Sequence, residues 1–471
     1  MTETGRLVSG LWPRTRQLVF GDADADTIKA ELRLNTTVDL AHVTMLAESG
    51  LLDRETASAL LRDITALRAE DFASLVGRPM PRGLYLMYEN TLIDRLGEKI
   101  GGALHTARSR NDLKATTTAL RLRTELLDVL GELVRLRAVL LARARANEHV
   151  VMPVYTHFQA AMPITYGYYL LGVALALGRE CAAVLHAMDG LRRCPLGAGS
   201  VAGTDLRINP ARTAALLGFD HPPLHALDSV ASRDVPLRAL SAVSGVVLVL
   251  SRMATDLQLW STSEFGFLWF PDRLVGGSSA MPQKRNAFLL EHVKAKAGAV
   301  TGAWTAAAAM TKSTPFTNTI EVSTEAMNVV WPALAAVREA ILLTQVLVSG
   351  ARPQTTTMNC RAVDGYVTAT AAANRLVLAG VPFRSAHRSI GEAVRLAVET
   401  GARFPAPADS VAEHRFGGGA GAFAEAFAEA HRELADHNRT RVDWHDRIGV
   451  ADTALTTAAR AIIGDVTARA R

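Results

Sequence analysis

The sequence has only three cysteines, Cys181, Cys194 and Cys360, and none of them forms a CxxC pair. This spacing argues against a disulfide framework and against a zinc site. The His and carboxylate residues also show no metal-ligand spacing such as HExxH, so we expect neither a metal ion nor another cofactor. The low thiol content fits a reducing cytoplasm.

The sequence also lacks a strong charge imbalance and long hydrophobic runs. Its net charge is +5 over 471 residues and its arginines are scattered, so we expect no nucleic-acid partner. The first seventeen residues, MTETGRLVSGLWPRTRQ, lack the apolar core of a signal peptide. The longest apolar stretches, Tyr168–Gly178 and Ala239–Leu250, are too short to span a bilayer. We therefore expect a cytoplasmic protein without a membrane partner, in which these stretches are buried helices.

Aromatic residues make up only 6% of the chain, whereas Ala, Leu and Arg, which favour helices, are plentiful. Apolar residues recur at steps of three and four, as in Leu126, Val129, Leu133, Leu136 and Leu140. Such patterns predict long helices over about 113–147, 163–193, 236–260, 287–311 and 322–348. Several of these segments are apolar on more than one face, which predicts a helical bundle that associates with other subunits.

The regions on either side of this bundle contain shorter patterns. Helices are predicted at Val38–Gly50 and Glu55–Arg68, before a break at Gly77–Gly83. After about Pro353 the chain returns to short helices and turns, and we interpret the GGGAG run at Gly417–Gly421 as a mobile linker. We predict three domains, with residues 1–106 and 355–471 flanking a central bundle at 107–354.

Three polar segments between the long helices are candidates for chemistry. The first is HTARSRND, His105–Asp112, which brings two guanidiniums to the start of a helix. The free N–H groups and the dipole of a helix start favour a bound carboxylate there. The alternative is an elaborate helix cap with solvated arginines.

The other two candidates are predicted loops. Val154–Pro163 contains Thr156, His157 and Gln159, although a lone histidine is more often structural. Gly276–Asn286 joins a mobile Gly/Ser turn to Gln, Lys and Asn side chains, and a plain turn between helices is its alternative.

These segments resemble known signatures. GSSAMPQKRN is similar to the signature of the fumarase/aspartase superfamily, and HTARSRND and YTHFQAAMPITYGYYLL resemble two segments of the argininosuccinate lyase family. CPLGAGSVAGTDL, LDSVASRD, LWSTSEFGF and GVPFRSAHRSIGEAV resemble that family as well, so the likeness extends from about Val38 to Gly401. The sequence is thus identified as a member of the argininosuccinate lyase family.

The resemblance implies an all-α, fumarase/aspartase-like fold with a long central helical bundle and two smaller helical caps. It implies a homotetramer whose active sites each combine segments of three subunits. It also implies anti elimination of fumarate from an N-substituted aspartate, which is a small dicarboxylate substrate, through an aci-carboxylate intermediate. The site must then stabilise the extra negative charge of that intermediate.

The resemblance also assigns roles to residues. Ser278 matches the general base, His157 the catalytic histidine, Glu291 the carboxylate that orients it, and Lys284 a carboxylate-binding cation. Substrate-binding positions are expected at Ser109, Arg110, Asn111, Thr156, Gln159, Arg233, Ser279, Gln283 and Asn286.

The sequence departs from the family on one side of the expected site. GLWPRTRQ stands in place of a tryptophan–glycine-rich opening, and a substrate-contacting serine falls at or near Glu31. No acidic residue is evident at Arg82–Leu84. Counted without gaps from Lys284, a family tyrosine, glutamine and lysine become Asn318, Ser323 and Ala326. Because a buried site that loses its polar partners rejects its former ligand, we predict that the amine part of the substrate is not arginine.

Two alternatives remain open. The first is argininosuccinate lyase activity proper, giving arginine and fumarate. The second is a structural protein without activity, although the presence of Ser278, Lys284, His157 and Glu291 counts against it.

Overall fold

The chain is largely helical, which confirms the predicted fold class. The computed structural model describes residues 10–21, 23–80, 82–402, 404 and 420–469. Before the bundle the helices are α1 (Pro13–Phe20), α2 (Ala25–Glu48), α3 (Arg54–Ala69), α4 (Leu84–Leu96) and α5 (Glu98–Gly101), followed by a 3-10 turn at Gly102–His105. Helix α2 begins thirteen residues earlier than its predicted start because Asp24 caps it by accepting a hydrogen bond from the Thr27 N–H.

Long helices form the centre of the molecule. They are α6 (Arg110–Ala146), α7 (Tyr166–Asp189), α10 (Asp234–Trp260), α11 (Phe288–Thr311) and α13 (Val330–Gly350), with short helices α8 (Pro210–Leu216), α9 (Ala226–Ala231) and α12 (Ala326–Asn328) between them. Helix α6 packs on α7 and α13, and α10 packs on α7 and α11. All five predicted long helices are therefore confirmed, and their directions alternate in the order in which they follow one another along the chain.

The interior of the bundle explains the sequence pattern. Leu126, Val129, Leu133, Leu136 and Leu140 are all fully buried in one hydrophobic core. Removing each such side chain from water contributes about 1.5–3 kcal/mol. The three- and four-residue steps place all five on the same face of α6, so this face fixes how the helix sits in the bundle.

Three segments, Tyr166–Arg192, Asp234–Trp260 and Glu321–Gly350, are long and apolar enough to cross a membrane by length and composition. In the fold the second segment packs against the first and the third, the segments also pack on α6 or α11, and about half of each apolar window is buried. Their apolar character is thus used in protein packing, as expected for buried bundle helices. The remaining apolar faces are open in the single chain.

The C-terminal part contains α14 (Thr355–Val363), α15 (Ala369–Leu378), α16 (Phe383–Thr400) and α17 (Ala420–Arg469). Helix α17 packs on α6 and α7 and also on α2 and α3, so it joins the bundle core to a second core formed mainly by the N-terminal helices. Residues 417–419 of the predicted linker lie outside the described residues, while Ala420 and Gly421 open α17. The domain boundaries at 106 and 354 remain predictions.

The segment Val154–Pro163 is not a loop, and that expectation was wrong. Strands β1 (Val151–Thr156) and β2 (Gln159–Thr165) form an antiparallel hairpin. Its turn residues His157 and Phe158 have φ values of 51° and 60°, as a tight hairpin turn of the primed type requires. The Val, Tyr, Thr and Ile residues of the two strands favour extended backbone. The two short strands lie between the end of α6 and the start of α7. A second short pair joins β3 (Leu268–Trp269) to β4 (Arg352–Pro353).

The alternating helices give the bundle two distinct ends. At what we call the His105 end, α6, α10 and α13 begin and α7 and α11 terminate. At the hairpin end α6 terminates and the hairpin leads into α7, where the Gly167 N–H donates to the Asn147 carbonyl at 3.0 Å. Because α6 has 37 residues, its two ends are about 55 Å apart.

Candidate active site

The HTARSRND segment is shaped to present polar groups at the start of α6. Ala107 has a positive φ of 61°, which turns the chain into the helix. The Ser109 hydroxyl accepts from the Asn111 N–H at 3.2 Å, and the Asp112 carboxylate accepts from the Ser109 N–H at 3.0 Å. This capping box fixes Ser109, Arg110 and Asn111 at the positive end of a long helix dipole, where a carboxylate is favoured.

A buried network lies behind this segment. Arg108 pairs with Asp39 at 2.5 Å with both side chains inaccessible, and Arg108 also donates to the Tyr85 hydroxyl. His42 Nε2 donates to the Thr106 carbonyl at 2.8 Å. Burial and the charge of Arg108 hold the pKa of His42 well below its ordinary value, so this ring is neutral near pH 7. The network fixes the backbone of residues 106–108. Sequence analysis identified Arg108 as part of a motif but did not identify Asp39, Tyr85 or His42.

The CPLGAGS segment, which resembles the family, holds the side chain of Asp112. Asp112 is fully buried, and its Oδ2 accepts from the N–H groups of Gly197 at 3.1 Å and Gly199 at 2.9 Å. The loop then continues to Ser200, whose carbonyl accepts from the Asn111 side chain at 3.3 Å. The loop at 194–203 thereby fixes the direction of the Asn111 carboxamide.

The segment after α11 runs beside the start of α6. Asn318 Nδ2 donates to Asn111 Oδ1 at 3.0 Å, and Lys114 Nζ donates to Thr324 Oγ1 at 2.5 Å. Ser323 and Ala326 are buried, with 3% and 0% of their surface exposed. Of the three positions that depart from the family, only Asn318 is thus seen in contact with a predicted substrate-binding residue.

Arg233 is 93% buried at the start of α10, since only 7% of its surface is exposed. Its NH1 donates to the carbonyls of Val230 at 2.7 Å and Ser232 at 2.8 Å, whereas within the described part of the chain Nε and NH2 have no hydrogen-bond partner. Burial lowers its pKa to about 10, so it stays positively charged at neutral pH. Burial lowers the pKa of Lys114, and the positive charge of Arg233 lowers it further.

The hairpin tip carries the second predicted group. Thr156, His157 and Gln159 are all exposed there. Tyr155 anchors the hairpin by packing its ring on Phe265 and Phe267 at centroid distances of 5.5 and 6.3 Å. The base of the hairpin is thus fixed, while its polar tip extends from the bundle.

The loop at 276–286 carries the third group. Its ends are joined by paired backbone hydrogen bonds between Gly276 and Asn286 at 2.8 and 2.9 Å. Ser278 Oγ accepts from the N–H groups of Ala280 at 3.3 Å and Met281 at 3.1 Å. Two N–H donors aimed at one hydroxyl oxygen stabilise negative charge on it, which a serine base requires.

The other predicted residues of this loop are open to solvent. Ser279, Gln283 and Lys284 are exposed, and Asn286 donates weakly to the Gly277 carbonyl at 3.4 Å. Glu291, in the first turn of α11, accepts from Gln258 at 3.1 Å. Within the described chain, Glu291 makes no ion pair with His157.

One chain brings together only part of the predicted site. Ser109, Arg110, Asn111 and Arg233 lie at the His105 end. The hairpin and the 276–286 loop lie at the other end, beyond a helix that is about 55 Å long. The three segments can surround one ligand only if separate copies of the chain contribute them. Among the described residues, no group of three His, Cys, Asp or Glu side chains could hold a metal ion.

Comparisons with known proteins agree with this architecture. A family model described as "Lyase" matches residues 84–302, and one described as "Argininosuccinate lyase C-terminal" matches residues 366–414. The chain is 36% identical over 359 residues to argininosuccinate lyase of Methanosarcina acetivorans, covering 76% of this chain and 72% of that protein. It is 35% identical over 380 residues to argininosuccinate lyase of Pseudomonas aeruginosa, covering 80% and 82%.

A solved structure extends the likeness to nearly the whole fold. The crystal structure of EDDS lyase in complex with formate is similar with a TM-score of 0.84 at 25% identity, over 97% of both chains. The similarity therefore includes the helices on either side of the bundle as well as the bundle itself.

Proposed function

The chain belongs to the argininosuccinate lyase family of the fumarase/aspartase superfamily and is a carbon–nitrogen lyase, and we propose that it eliminates fumarate from an N-substituted aspartate whose amine part is not arginine. The observation that carries the proposal is the capping-box start of α6, where Ser109, Arg110 and Asn111 are fixed by a buried network at a site suited to a carboxylate. We further propose a cytoplasmic location.

In the proposed reaction Ser278 removes the proton beside one carboxylate of the substrate. The two N–H groups that point at its oxygen support this role, because they lower the cost of the alkoxide. Lys284 and Asn286 would hold the carboxylate on which the extra charge develops. His157, oriented by Glu291, would assist proton delivery to the departing nitrogen.

We propose that the site is assembled in a homotetramer, with segments of three subunits at each active site. The distance between the two bundle ends supports this, since the polar segments of one chain lie too far apart to surround one substrate. Exposed apolar side chains on the bundle also support it: Leu248 on α10, Trp304 on α11, and Leu342 and Val346 on α13 expose 42–53% of their surface. Apolar patches of this kind mark association surfaces in soluble proteins.

The residues at 318–326 support the proposal that the amine part of the substrate is not arginine. Ser323 and Ala326 are buried, and Asn318 uses its amide N–H on Asn111. Polar side chains at these positions would hold the end of an arginine moiety in the family, whereas here two of the three positions carry the small, buried side chains of Ser323 and Ala326. A ligand that needs those partners binds poorly when they are absent.

The test is an elimination assay with purified protein and argininosuccinate, in which fumarate is followed by its ultraviolet absorbance. We expect little or no turnover, while addition of other amines to fumarate proceeds. Turnover of argininosuccinate at an ordinary enzyme's rate would refute the proposed change of amine but leave the lyase chemistry intact.

Argininosuccinate lyase activity proper is the second candidate. The relatives at 35–36% identity carry that name, and Arg233 is retained and buried with unpaired donors. In this case the products are arginine and fumarate, and the gene complements a strain that requires arginine.

A further inference from the structure

Glu291 is connected to a neighbouring helix by a chain of two hydrogen bonds. Gln258, in the last turn of α10, donates from its Nε2 to Glu291 Oε1 at 3.1 Å. The other end of the same carboxamide, Gln258 Oε1, accepts from Lys294 Nζ at 2.5 Å. Lys294 follows Glu291 by three positions on α11. The chain therefore joins two charged side chains of α11 through one residue of α10, at the hairpin end of the bundle.

The direction of the Gln258 carboxamide follows from the chemistry of its two neighbours. An ammonium group can only donate hydrogen bonds, and an ionised carboxylate can only accept them. The carbonyl oxygen of Gln258 must therefore face Lys294 and its amide nitrogen must face Glu291, because the reverse orientation would leave both contacts without a donor and acceptor pair. Gln258 is also partly buried between the two helices. Its side chain is thus held in one orientation by both charged groups.

The intervening amide keeps the two charges of α11 apart. Side chains three positions apart on a helix can pair directly. Among the described residues, however, no ion pair within 4.0 Å joins Glu291 to Lys294. Glu291 is exposed, and within the described chain its second oxygen, Oε2, has no hydrogen-bond partner. One oxygen of the carboxylate is thus fixed by a neutral donor, while the other is open to a group from outside this chain.

We propose, on the basis of the proposed lyase function, that Gln258 and Lys294 are positioning residues for the reaction. Gln258 holds Glu291 Oε1 so that Oε2 meets the imidazole N–H of His157 from another copy of the chain, and Lys294 holds Gln258. An exposed carboxylate with no such bond rotates freely, whereas a productive contact requires placement to within about 0.5 Å. Neither positioning residue contacts the substrate. Their loss should therefore slow the chemical step and leave substrate binding unchanged.

The assay follows the addition of amines to fumarate, because addition and elimination pass through the same transition state. Fumarate is incubated with the full-length protein and methylamine, ethylenediamine, L-lysine or L-arginine, and the loss of fumarate absorbance is recorded. The fastest amine is then used to measure kcat and the KM for fumarate. Release of fumarate from argininosuccinate is measured in parallel. Absence of addition with every amine and of release from argininosuccinate would overturn the proposed function and this inference together.

Substitutions of Gln258 give the main result. Gln258→Met keeps the length of the side chain and removes both hydrogen bonds. We expect kcat to fall by about 10- to 100-fold, as the loss of one hydrogen bond to a charged group predicts, with an unchanged KM for fumarate. Gln258→Glu can still accept from Lys294 but cannot donate to Glu291, so kcat should fall at least as far. Lys294→Met should reduce kcat by less, because Gln258 can still reach Glu291. Wild-type kcat in both Gln258 variants would overturn this inference and leave the lyase function standing.

A matched control and a double substitution exclude a merely structural effect. Gln345, on α13, donates to Glu132 Oε2 at 3.2 Å far from either end of α6, so Gln345→Met removes a bond of the same kind and should leave kcat unchanged. In a Glu291→Ala background, Gln258→Met should cause no further loss of kcat, because no carboxylate remains to be held. A further loss of the same size in that background, or a rise in KM alone, would mean a structural role and would overturn the inference.

Discussion

The two ends of the helical bundle hold their polar segments in different ways. At the His105 end, Arg108 and Asp112 of the segment are buried, Arg108 pairs with the buried Asp39 of α2, and Asp112 accepts hydrogen bonds from the loop at 194–203. At the hairpin end, His157 and Lys284 are exposed, and the loop at 276–286 is fixed mainly by bonds within itself.

This difference indicates a division of labour. The polar groups of the His105 end are held in a fixed geometry within one chain, which is what the positioning of a ligand requires. The polar groups of the hairpin end are exposed in the single chain. Packing of such groups against another copy of the chain would exclude water from them and strengthen their electrostatic interactions. Substitutions at the two ends should therefore affect different properties.

Ser278→Ala is the change with the largest expected effect. Loss of a general base costs about 10²- to 10⁴-fold in kcat. Because Ser278 lies on a loop outside the core, we expect the free energy of unfolding to change by less than about 0.5 kcal/mol. Steady-state fumarate release measures kcat, and denaturant unfolding measures the free energy of unfolding. Ser263→Ala, at an exposed serine of a different loop, should retain full activity, and a Ser278→Ala enzyme with wild-type kcat would remove Ser278 from the mechanism.

Asp39→Ala should do the reverse, with its main effect on stability. It leaves the Arg108 guanidinium buried without its partner, which costs about 3–5 kcal/mol. Chemical denaturation of the purified protein measures this loss. Asp94→Ala, at an exposed position of α4, is the control and should change the unfolding free energy by no more than about 0.5 kcal/mol. An equally small effect at Asp39 would show that the His105 end is not held by its buried network.

The sequence predicted the bundle well because its signals are local. The steps of three and four from Leu126 to Leu140 specify a helix face directly, and all of these residues are buried. The hairpin was missed because its strands are short and its turn residues, His157 and Phe158, are not the glycine or asparagine that usually mark positive φ.

The site was predicted only in part for a similar reason. The motif residues Ser109, Arg110 and Asn111 are contiguous, and so they could be recognised. Asp39 supports that segment from 69 positions away, and Thr324 meets Lys114 from 210 positions away. Single-sequence patterns carry no information on such distant pairs, although Lys114 could have been noticed as a charge three residues after Asn111 on one helix face.

Mixing two inactive variants tests whether the two ends act in the same site from different chains. Asn111→Ala disables the His105 end, and Ser278→Ala disables the hairpin end. After unfolding and refolding together, mixed assemblies contain some sites in which both wild-type segments meet, so fumarate release should recover to a fraction of the wild-type rate. Ser278→Ala mixed with Lys284→Ala is the control, since both changes lie in one loop and no recovery is expected. No recovery in the first mixture would contradict the proposal that the two ends meet in one site formed by different chains.

The smallest expected effect is the difference between two glycine substitutions in the loop at 194–203. One of them introduces a steric clash as well as backbone strain, and the other introduces backbone strain alone. Gly199 and Gly203 both have positive φ, at 60° and 75°, so alanine at either costs about 1–2 kcal/mol. At Gly199 an added Cβ would also lie 2.7 Å from the Gly203 carbonyl oxygen, whereas at Gly203 no atom lies within 4 Å. Gly199→Ala should therefore destabilise the protein by more than Gly203→Ala. It should also raise KM, because a shifted loop releases Asp112 and the Asn111 carboxamide that Ser200 directs. Equal effects of the two changes on stability and KM would mean that this loop does not position Asn111, and the contrast between an organised and an open end of the bundle would be weakened.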